Sequence, residues 1–491
     1  MRHPAHRRPA RAASPGSARQ EGSTPVSTAS AATQNEGTAT RRTPDVDDLH
    51  DVPTTLEGGP APRNLGLLDQ LGMWGNLGMS LLAFAGAIVV LQPLGEPGMG
   101  MGQAVLALVV GTLVGTAGVS AMALASSQQG QPAMVMLRGL FGGRLSYVPT
   151  VFNMIQLLGW GTFEIVTTTM AARTLWPELP RWPIVVVIGA VTTLLALYPL
   201  RWVKVLRKYV TVAVIVTLIY LASQLLTRDV PAHAGHGWGG WMVAVDAIIA
   251  LSVSWVPVAG DYARHSTSHR AAVLGSYLGY CVTQIAVYSI GIITLLLAGG
   301  NGDAVFSIFL GVAGGSLCFL VLTLREIDQC FVDVYSTTVS LQNIAPRLDR
   351  RLISIALGVT STVLALAVDI YGFAHFLALI GSVFVPLLGV FLVDYYLFGG
   401  RHRWNTTVDA PSRPLMLVAW AAGFVAYELV APGTLGAWSD MWRSIGEAIG
   451  LSAPTWLSAS LVAFGVAALA TIVVEISGGG AAGARSRSTR G

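Results

Sequence analysis

Long apolar stretches separated by short polar loops make up most of this chain, beginning near residue 74. Each stretch is about 20 residues long, which is the length that an α-helix needs to cross the hydrocarbon core of a bilayer. Charged residues concentrate between the stretches and in the two terminal segments. The pattern predicts twelve membrane-spanning helices, at about 74–95, 102–124, 146–171, 183–200, 207–226, 241–261, 271–298, 314–341, 352–370, 374–397, 413–432 and 454–476.

The composition indicates an all-α polytopic membrane protein. Of the 491 residues, 53% are hydrophobic and 11% are charged, whereas soluble proteins carry about 25% charged residues. The net charge of +4 comes from Arg in the terminal segments and short loops, so it does not indicate nucleic-acid binding. The sequence contains no HExxH, GxSxG or P-loop motif and no paired His at metal spacing, so we expect no enzyme activity. Three cysteines lie inside apolar stretches without CxxC spacing, as is typical of buried thiols: Cys281, Cys318 and Cys330.

The distribution of basic residues predicts the orientation in the cell membrane. Arg and Lys occur before the first apolar stretch and then in alternate loops, as in "RWVKVLRK" from 201, "ARHSTSHR" from 263 and "RHRW" from 401. The intervening loops, such as "AGGNGDA" from 298, are nearly free of basic residues. Because basic loops stay in the cytoplasm, both termini are expected there and the number of spans is even.

The same pattern suggests four segments. Residues 1–63 are rich in Arg, Pro, Ser, Thr and Ala, and a segment of this composition cannot bury enough apolar surface to fold alone. We therefore expect a disordered cytoplasmic arm, followed by a ten-helix core at 64–400, two additional helices at 401–476 and a cytoplasmic tail at 477–491.

Helix-breaking residues lie in corresponding stretches of the two halves. The first stretch contains Gly75, Gly78 and Gly86, and the sixth contains Pro257 and Gly260. Interrupted helices in matched positions are typical of transporters whose substrate binds at mid-membrane, where the freed backbone groups contact ligand or ion. The alternative is that these residues only allow close helix packing.

The third stretch contains a polar and aromatic stripe. Gln156, Trp160 and Glu164 recur every four residues, so they share one helix face. An indole flanked by an amide and a carboxylate suits a planar polar heterocycle, whose ring stacks on the indole while its edge is hydrogen-bonded. Carboxylates inside a membrane are costly and usually functional. The alternative is that Trp160 packs structurally and Glu164 pairs with a neighbouring helix.

The eighth stretch is long and unusually charged. From Gly314 to Leu341 it covers 28 residues, or about 42 Å of helix, with four charges near mid-depth: Arg325, Glu326, Asp328 and Asp333. Asp333, Ser336 and Thr337 share a face, and oxygen atoms at this spacing suit a hard monovalent cation. Alternatively, the two hydroxyls bond back to carbonyls of their own helix.

The sixth stretch has a candidate stacking residue beside its predicted interruption. Trp255 lies two residues before Pro257, and Ser254 precedes it. Trp255 is consistent with a second wall of a stacking slot, or with an anchor at the membrane interface. Asp261 and Arg264 are interpreted as the structural, cytoplasmic end of this helix.

Taken in order, several motifs resemble the nucleobase:cation symporter-1 family, which contains the purine–cytosine permeases. They are "GQPAMVMLRGLFGGRLSYVP" from 130, "FNMIQLLGW" from 152, "SWVPVAGDYAR" from 254, "VDVYSTTVSLQN" from 332 and "GSVFVPLLGVFLVDYY" from 381. The resemblance covers about residues 64–400. It implies twelve spans with a leucine-transporter-like core of two inverted five-helix repeats, at about 74–226 and 241–397. It also implies uptake of a nucleobase or similar heterocycle, driven by Na⁺ or H⁺, with no other cofactor.

The resemblance also implies roles for individual residues. Trp160 would stack on the substrate ring and Glu164 or Gln156 would bind its edge, so the substrate candidates are Trp160, Glu164, Gln156, Trp255, Ser254 and Asp333. Sodium, where it is used, would bind carbonyls of the broken first span and oxygens of the eighth. The implied ligands are Ala83, Gly86, the carbonyl of Asp333, Ser336 and Thr337.

Two departures from the family pattern bear on the substrate. Relatives often have Asn at the position of Asp333, and Gln or a small residue at that of Glu164. An ionised carboxylate only accepts hydrogen bonds, so cytosine, an aminopyrimidine or guanine suits Glu164 better than uracil. Protonation of Glu164 would reverse this preference and would fit proton coupling, in which Asp333 is another candidate carrier. The alternative function is an amino-acid or amine transporter of the same fold; a membrane enzyme or receptor lacks support in the sequence.

Overall fold

The computed structural model of the protein describes residues 54–56, 61–93, 99–198, 209–231, 235–368, 373–433 and 435–478. Most of the predicted arm at 1–63 and of the tail at 477–491 lies outside these residues. Within them the chain is helical, and its only β-type pairings are two isolated bridges, Leu65 with Ser266 and Met99 with Trp238.

The described helices are numbered α1 to α19 in chain order. They are α1 Leu67–Leu77, α2 Leu82–Gly86, α3 Ile88–Leu91, α4 Met101–Gln129, α5 Ala133–Phe141, α6 Tyr147–Leu175, α7 Arg181–Ala196, α8 Thr211–Leu225, α9 Trp241–Val253, α10 Val256–Ala263, α11 His269–Leu297, α12 Val305–Leu310, α13 Gly315–Ile344, α14 Arg350–Ala367, α15 Phe373–Leu392, α16 Gly400–Arg403, α17 Pro414–Val430, α18 Ala437–Ala448 and α19 Ala459–Ile476. A π-helical turn, Val393–Leu397, continues α15.

Each of the twelve predicted stretches coincides with one helix or with helices that follow each other closely. By length and composition, six described helices can cross a membrane, and a seventh is added if the bent pair at the start of the core counts as one span. Three shorter apolar helices are α7, α8 and α17. Twelve spans therefore stay a prediction.

The first stretch is broken between α1 and α2, and the two parts meet at 55°. In a continuous helix the N–H of Leu81 would bond to the carbonyl of Leu77. Instead Leu77 O accepts a hydrogen bond from Gln329 Nε2 at 3.2 Å, and Leu81 N donates to Glu326 Oε2 at 2.9 Å. Side chains of α13 therefore satisfy the two backbone groups that the break exposes.

The sixth stretch is interrupted more mildly, at the two residues between α9 and α10. Pro257 has no N–H, so it cannot bond to the carbonyl four residues earlier. The carbonyl of Ser254 accepts a hydrogen bond from Gln156 Nε2 at 3.0 Å, which fixes the junction to α6. Both predicted interruptions are thus present, with side chains of α13 bonded to the first and a side chain of α6 bonded to the second.

Close packing of α1 on α11 depends on small residues. A Cβ added at Gly275 would lie 2.3 Å from the Cβ of Gln70, and one at Gly279 would lie 2.9 Å from the carbonyl oxygen of Leu71. Because contacts this short are not tolerated, only glycine allows the two helices to approach so closely. This packing holds α1, the first part of the broken stretch, against α11.

Candidate functional site

A small cavity lies where the broken first stretch meets α6, the α9–α10 junction, α11 and α13. Its walls combine aromatic and polar side chains with backbone of the break. The aromatic residues are Trp160, Trp255, Tyr280 and Tyr288, and the polar ones are Ser80, Glu164, Gln284 and Gln329. A largely apolar cavity with a few convergent polar groups is the usual form of a small-molecule site.

The two tryptophans of the cavity stack directly on each other. The ring centroids of Trp160 and Trp255 are 6.2 Å apart and the rings are inclined by 18°. A ring inserted between them would need two contacts of about 3.5 Å, hence about 7 Å in all. Trp255 therefore extends the aromatic surface of Trp160, and a substrate would stack on this surface or part the two indoles. Phe376 supports Trp160 edge-on, with centroids 5.2 Å apart.

Glu164 lies one turn after Trp160 and lines the same cavity. Its side chain is buried, and Oε2 has no hydrogen-bond partner among the described residues. A buried carboxylate oxygen without a partner is costly, so a ligand that donates a hydrogen bond would relieve that cost. The arrangement places an acceptor at the margin of an aromatic surface.

Three other predicted substrate residues do not line the cavity. Gln156 donates to the carbonyl of Ser254 and to Asn153 Oδ1 at 2.9 Å, and the hydroxyl of Ser254 donates to Leu251 O at 2.6 Å. These two residues hold α6 to the α9–α10 junction beneath the tryptophans. Asp333 is fully buried beside Gly161 of α6, and neither of its carboxylate oxygens has a hydrogen-bond partner among the described residues.

The five implied sodium ligands do not surround one point. Ser336 Oγ donates to Asp261 Oδ2 at 2.7 Å, and Thr337 Oγ1 donates to the carbonyl of Asp333 at 2.7 Å. α13 meets the break through Glu326, and Ser336 follows ten residues later, about 15 Å along the helix. Ala83 and Gly86 lie beyond the break in the opposite direction, since α13 runs antiparallel to α1: Asn76 contacts Asp328 and Ser80 contacts Glu326. The described contacts therefore do not bring the five residues together, and the sodium site that the resemblance implies stays a prediction.

The structure adds a stripe of α11 that the sequence reasoning missed. Tyr280, Gln284 and Tyr288 recur every four residues and all line the cavity. Gln284 Nε2 donates to Thr112 Oγ1 at 3.0 Å and to Ser252 Oγ at 3.4 Å, while its Oε1 has no partner among the described residues. The spacing is the same as in the stripe of α6, so a search for polar residues at four-residue intervals would have found it.

Comparison with known proteins identifies the family. The family model described as permease for cytosine/purines, uracil, thiamine, allantoin matches residues 61–409. The chain belongs to this family. This membership confirms the resemblance to the nucleobase:cation symporter-1 permeases and places the chain among membrane transporters of small molecules, not among enzymes.

Two curated relatives of this chain are named for different substrates. YxlA of Bacillus subtilis (strain 168), a candidate purine–cytosine permease, is 26% identical over 357 residues, which are 66% of this chain and 75% of YxlA. The vitamin B6 transporter TPN1 of Saccharomyces cerevisiae is 22% identical over 329 residues. That match covers 61% of this chain and 56% of TPN1, so the chain spans little more than half of that relative.

Solved structures show the same fold. Mhp1, a nucleobase-cation-symport-1 family transporter in a closed conformation with bromovinylhydantoin bound, superposes with a TM-score of 0.67 at 15% identity, over 87% of this chain and 95% of Mhp1. A Na⁺-coupled sialic acid symporter in a substrate-bound outward-open state superposes with a TM-score of 0.58 at 11% identity, over 87% of this chain and 91% of that one. The chain therefore has the all-helical, leucine-transporter-like fold.

Proposed function

We propose that this protein imports a nucleobase or a related small heterocycle across the cell membrane by cation symport with alternating access. The observation that carries the proposal is the position of Glu164, one turn from Trp160 on a shared cavity wall. Trp160 offers a face on which a ring stacks, and Glu164 offers an acceptor to the edge of that ring.

The hydrogen-bonding groups of the cavity favour a substrate with donors. Glu164 Oε2 and Gln284 Oε1 are both acceptors without partners among the described residues, on helices α6 and α11. An exocyclic amine beside a ring N–H supplies such donors, as in cytosine, an aminopyrimidine or an aminopurine. The family description, with its cytosine, purine and other heterocyclic substrates, agrees with this class.

In the proposed mechanism, the helices move relative to each other at the two interruptions. Substrate would bind among the broken first stretch, α6, α11 and the α9–α10 junction, and one helix bundle would rock against the other. The ten-helix core at 64–400 would contain the two inverted repeats, with two further helices after it and both termini in the cytoplasm. Within the site, Gln156 and Ser254 would hold Trp160 and Trp255 in place by fixing α6 to the α9–α10 junction. Asp333 would pack against α6.

The test is equilibrium binding to the purified full chain in detergent, measured calorimetrically with cytosine, adenine, guanine, uracil and pyridoxine. We expect an amine-bearing base to bind and Trp160→Ala to weaken its affinity about five- to 150-fold, since stacking of a base on an aromatic side chain is worth about 1–3 kcal/mol. Trp182→Ala is the matched control, because Trp182 is 64% exposed and does not line the cavity. Glu164→Gln should shift the preference from cytosine towards uracil.

Two results would count against the proposal. Absence of binding by any heterocycle, in protein whose thermal unfolding shows it to be folded, would refute the substrate class. Binding of an aliphatic amine or amino acid that Trp160→Ala leaves unchanged would favour the alternative transporter of the same fold, because that substrate would use Glu164 without the stacking surface.

A further inference from the structure

A buried guanidinium lies at the break of the first stretch. Arg325 of α13 has a side chain that is 1% exposed, and it reaches the end of α1, where the helix stops. A cation at this depth needs compensation by oxygen atoms or by negative charge. Its surroundings supply both.

The guanidinium is enclosed by oxygen atoms from α1 and α13. Arg325 Nη2 donates to the backbone carbonyl of Asn76, and Nε donates to Asn76 Oδ1 at 3.1 Å. Nη1 donates to Glu326 Oε2 at 2.8 Å and to Gln329 Oε1 at 2.7 Å. Asp328 Oδ1 lies 3.7 Å from Nε, and the other oxygen of Asp328 accepts a hydrogen bond from Asn76 Nδ2 at 2.7 Å.

The residues around Arg325 also form hydrogen bonds with α1 and with the residues that follow it, on both sides of the break. Glu326 neutralises Arg325 while accepting hydrogen bonds from Ser80 Oγ at 2.6 Å and from Leu81 N. Gln329 accepts from Arg325 and donates to the carbonyl of Leu77. Arg325 is thus the positive centre of the contacts that join both sides of the break to α13.

We propose that Arg325 is a resident cation that fills the oxygen-lined place between the broken first helix and α13, so that this place takes no sodium ion. Carbonyl, amide and carboxylate oxygens converging on one point are ligands that a hard metal cation uses, but here a guanidinium carried by the chain binds them. A second positive charge in the same place would be repelled at close range. The consequence for transport rests on the proposed function: the symport would draw on another cation.

The test needs no substrate, so its failure is distinguishable from failure of the proposed function. Thermal unfolding of the purified full chain is measured in NaCl, KCl and choline chloride at equal ionic strength, because an ion that binds only the folded state raises Tm. We expect wild-type protein to have the same Tm in all three salts. Arg325→Gln, which leaves the oxygens and removes the cation, should gain a Na⁺-specific rise of about 2 °C or more. Arg325→Lys, which keeps a positive charge, should gain none.

A Na⁺-specific rise of Tm in the wild-type protein would overturn the proposal. A folded Arg325→Gln variant that is indifferent to Na⁺ would also overturn it, because the vacated oxygens would then not form a cation site. If Arg325→Gln does not fold, Arg325→Ala replaces it, because it also removes the cation and leaves every oxygen of the cluster in place, and the same two readings apply.

Discussion

The backbone N–H of Leu81 donates a hydrogen bond to the carboxylate of Glu326, 245 residues later in the chain, at 2.9 Å. In an unbroken helix this N–H would bond to the carbonyl of Leu77, which Gln329 binds instead. The break of the first helix is therefore a property of two segments distant in sequence. Gly78 at the end of α1 has ordinary helical backbone angles and leaves room for α11, whereas α13 supplies the hydrogen-bonding partners of the break.

Glu326→Gln should destabilise the protein strongly. The amide that replaces the carboxylate can keep its oxygen towards Leu81 N and Arg325 Nη1, with its N–H₂ group facing Ser80 Oγ, but it leaves the buried guanidinium without its nearest counter-charge. Removing one partner of a buried pair costs about 3–5 kcal/mol, which thermal unfolding in detergent would show as a lower Tm. Asp440→Asn is the control, since the Asp440–Arg443 pair is exposed and should contribute under about 1 kcal/mol. Equal losses in the two variants would contradict the role given to Glu326.

Gln284→Leu should weaken substrate binding without unfolding the protein. Leucine is apolar and similar in volume to glutamine but offers no acceptor to the cavity, so a ligand donor that pairs with Oε1 loses its partner. The expected loss is about tenfold in affinity, corresponding to about 1.4 kcal/mol. Gln284→Glu keeps an acceptor and should retain amine-bearing ligands better than Gln284→Leu does. Equal affinity of the two variants, measured by the same calorimetry, would remove Gln284 from the site.

Much of the fold follows from residue patterns, because helix length and burial are local properties. Apolar stretches of spanning length predicted the positions of the long helices, and Gly78 and Pro257 marked the two interruptions, but the short helices α5, α12, α16 and α18 lie outside the predicted stretches. The stripe of α6 predicted the cavity residues only in part, because Trp160 and Glu164 line the cavity and Gln156 does not. Residues four apart turn by about 40° relative to each other, so Gln156 lies about 80° around the helix from Glu164, and its amide binds Ser254 instead of facing the cavity.

Contacts between distant helices could not be predicted from spacing within one helix. Ser336 and Thr337 stand at ligand spacing, yet Ser336 bonds to Asp261 of α10 and Thr337 to its own helix. Likewise, the charges of Arg325 and Glu326 signalled a special region of α13, but only the register of α13 against α1 shows that they bind the break. The hydrogen-bond partner of each side chain depends on how the helices pack against each other, and a single sequence does not reveal that packing.

His265 should make the stability of the protein depend on pH. It lies in the turn between α10 and α11, outside the spanning segments, where burial and then the neighbouring Arg264 charge lower its pKa to about 3. Its Nδ1–H donates to Pro62 O at 2.8 Å and its Nε2 accepts from Arg264 Nε at 3.2 Å, so the ring is neutral. Because the unfolded chain has a pKa of about 6.5 there, unfolding takes up a proton below that pH. Above about pH 6.5 His265 contributes no pH dependence, and below it stability falls by about 1.4 kcal/mol per pH unit until about pH 3.

The measurement is thermal unfolding of wild-type protein and His265→Asn at pH 7.5 and pH 5, values chosen on either side of the ordinary histidine pKa of about 6.5. Wild-type protein should lose more stability between the two pH values than the variant does, by about 2 kcal/mol. His402→Gln is the control, because His402 is exposed in α16 and should leave the wild-type slope unchanged. Identical slopes in wild-type protein and His265→Asn would show that another group titrates.

Gly279→Ala should separate α1 from α11. The added Cβ would lie 2.9 Å from the carbonyl oxygen of Leu71 and 3.0 Å from the backbone N of Gly75, and backbone atoms cannot rotate away as a side chain can. Overpacking of this kind costs about 1–3 kcal/mol. Gly465→Ala in α19 is the matched control, since a Cβ there meets no atom within 4 Å, and a helical alanine is about 0.5–1 kcal/mol more favourable than glycine. In thermal unfolding the two substitutions should therefore shift Tm in opposite directions. A Gly279→Ala protein as stable as the Gly465→Ala protein would mean that α1 can move away from α11 at little cost, and that the close approach of these helices does not hold the broken first stretch in place.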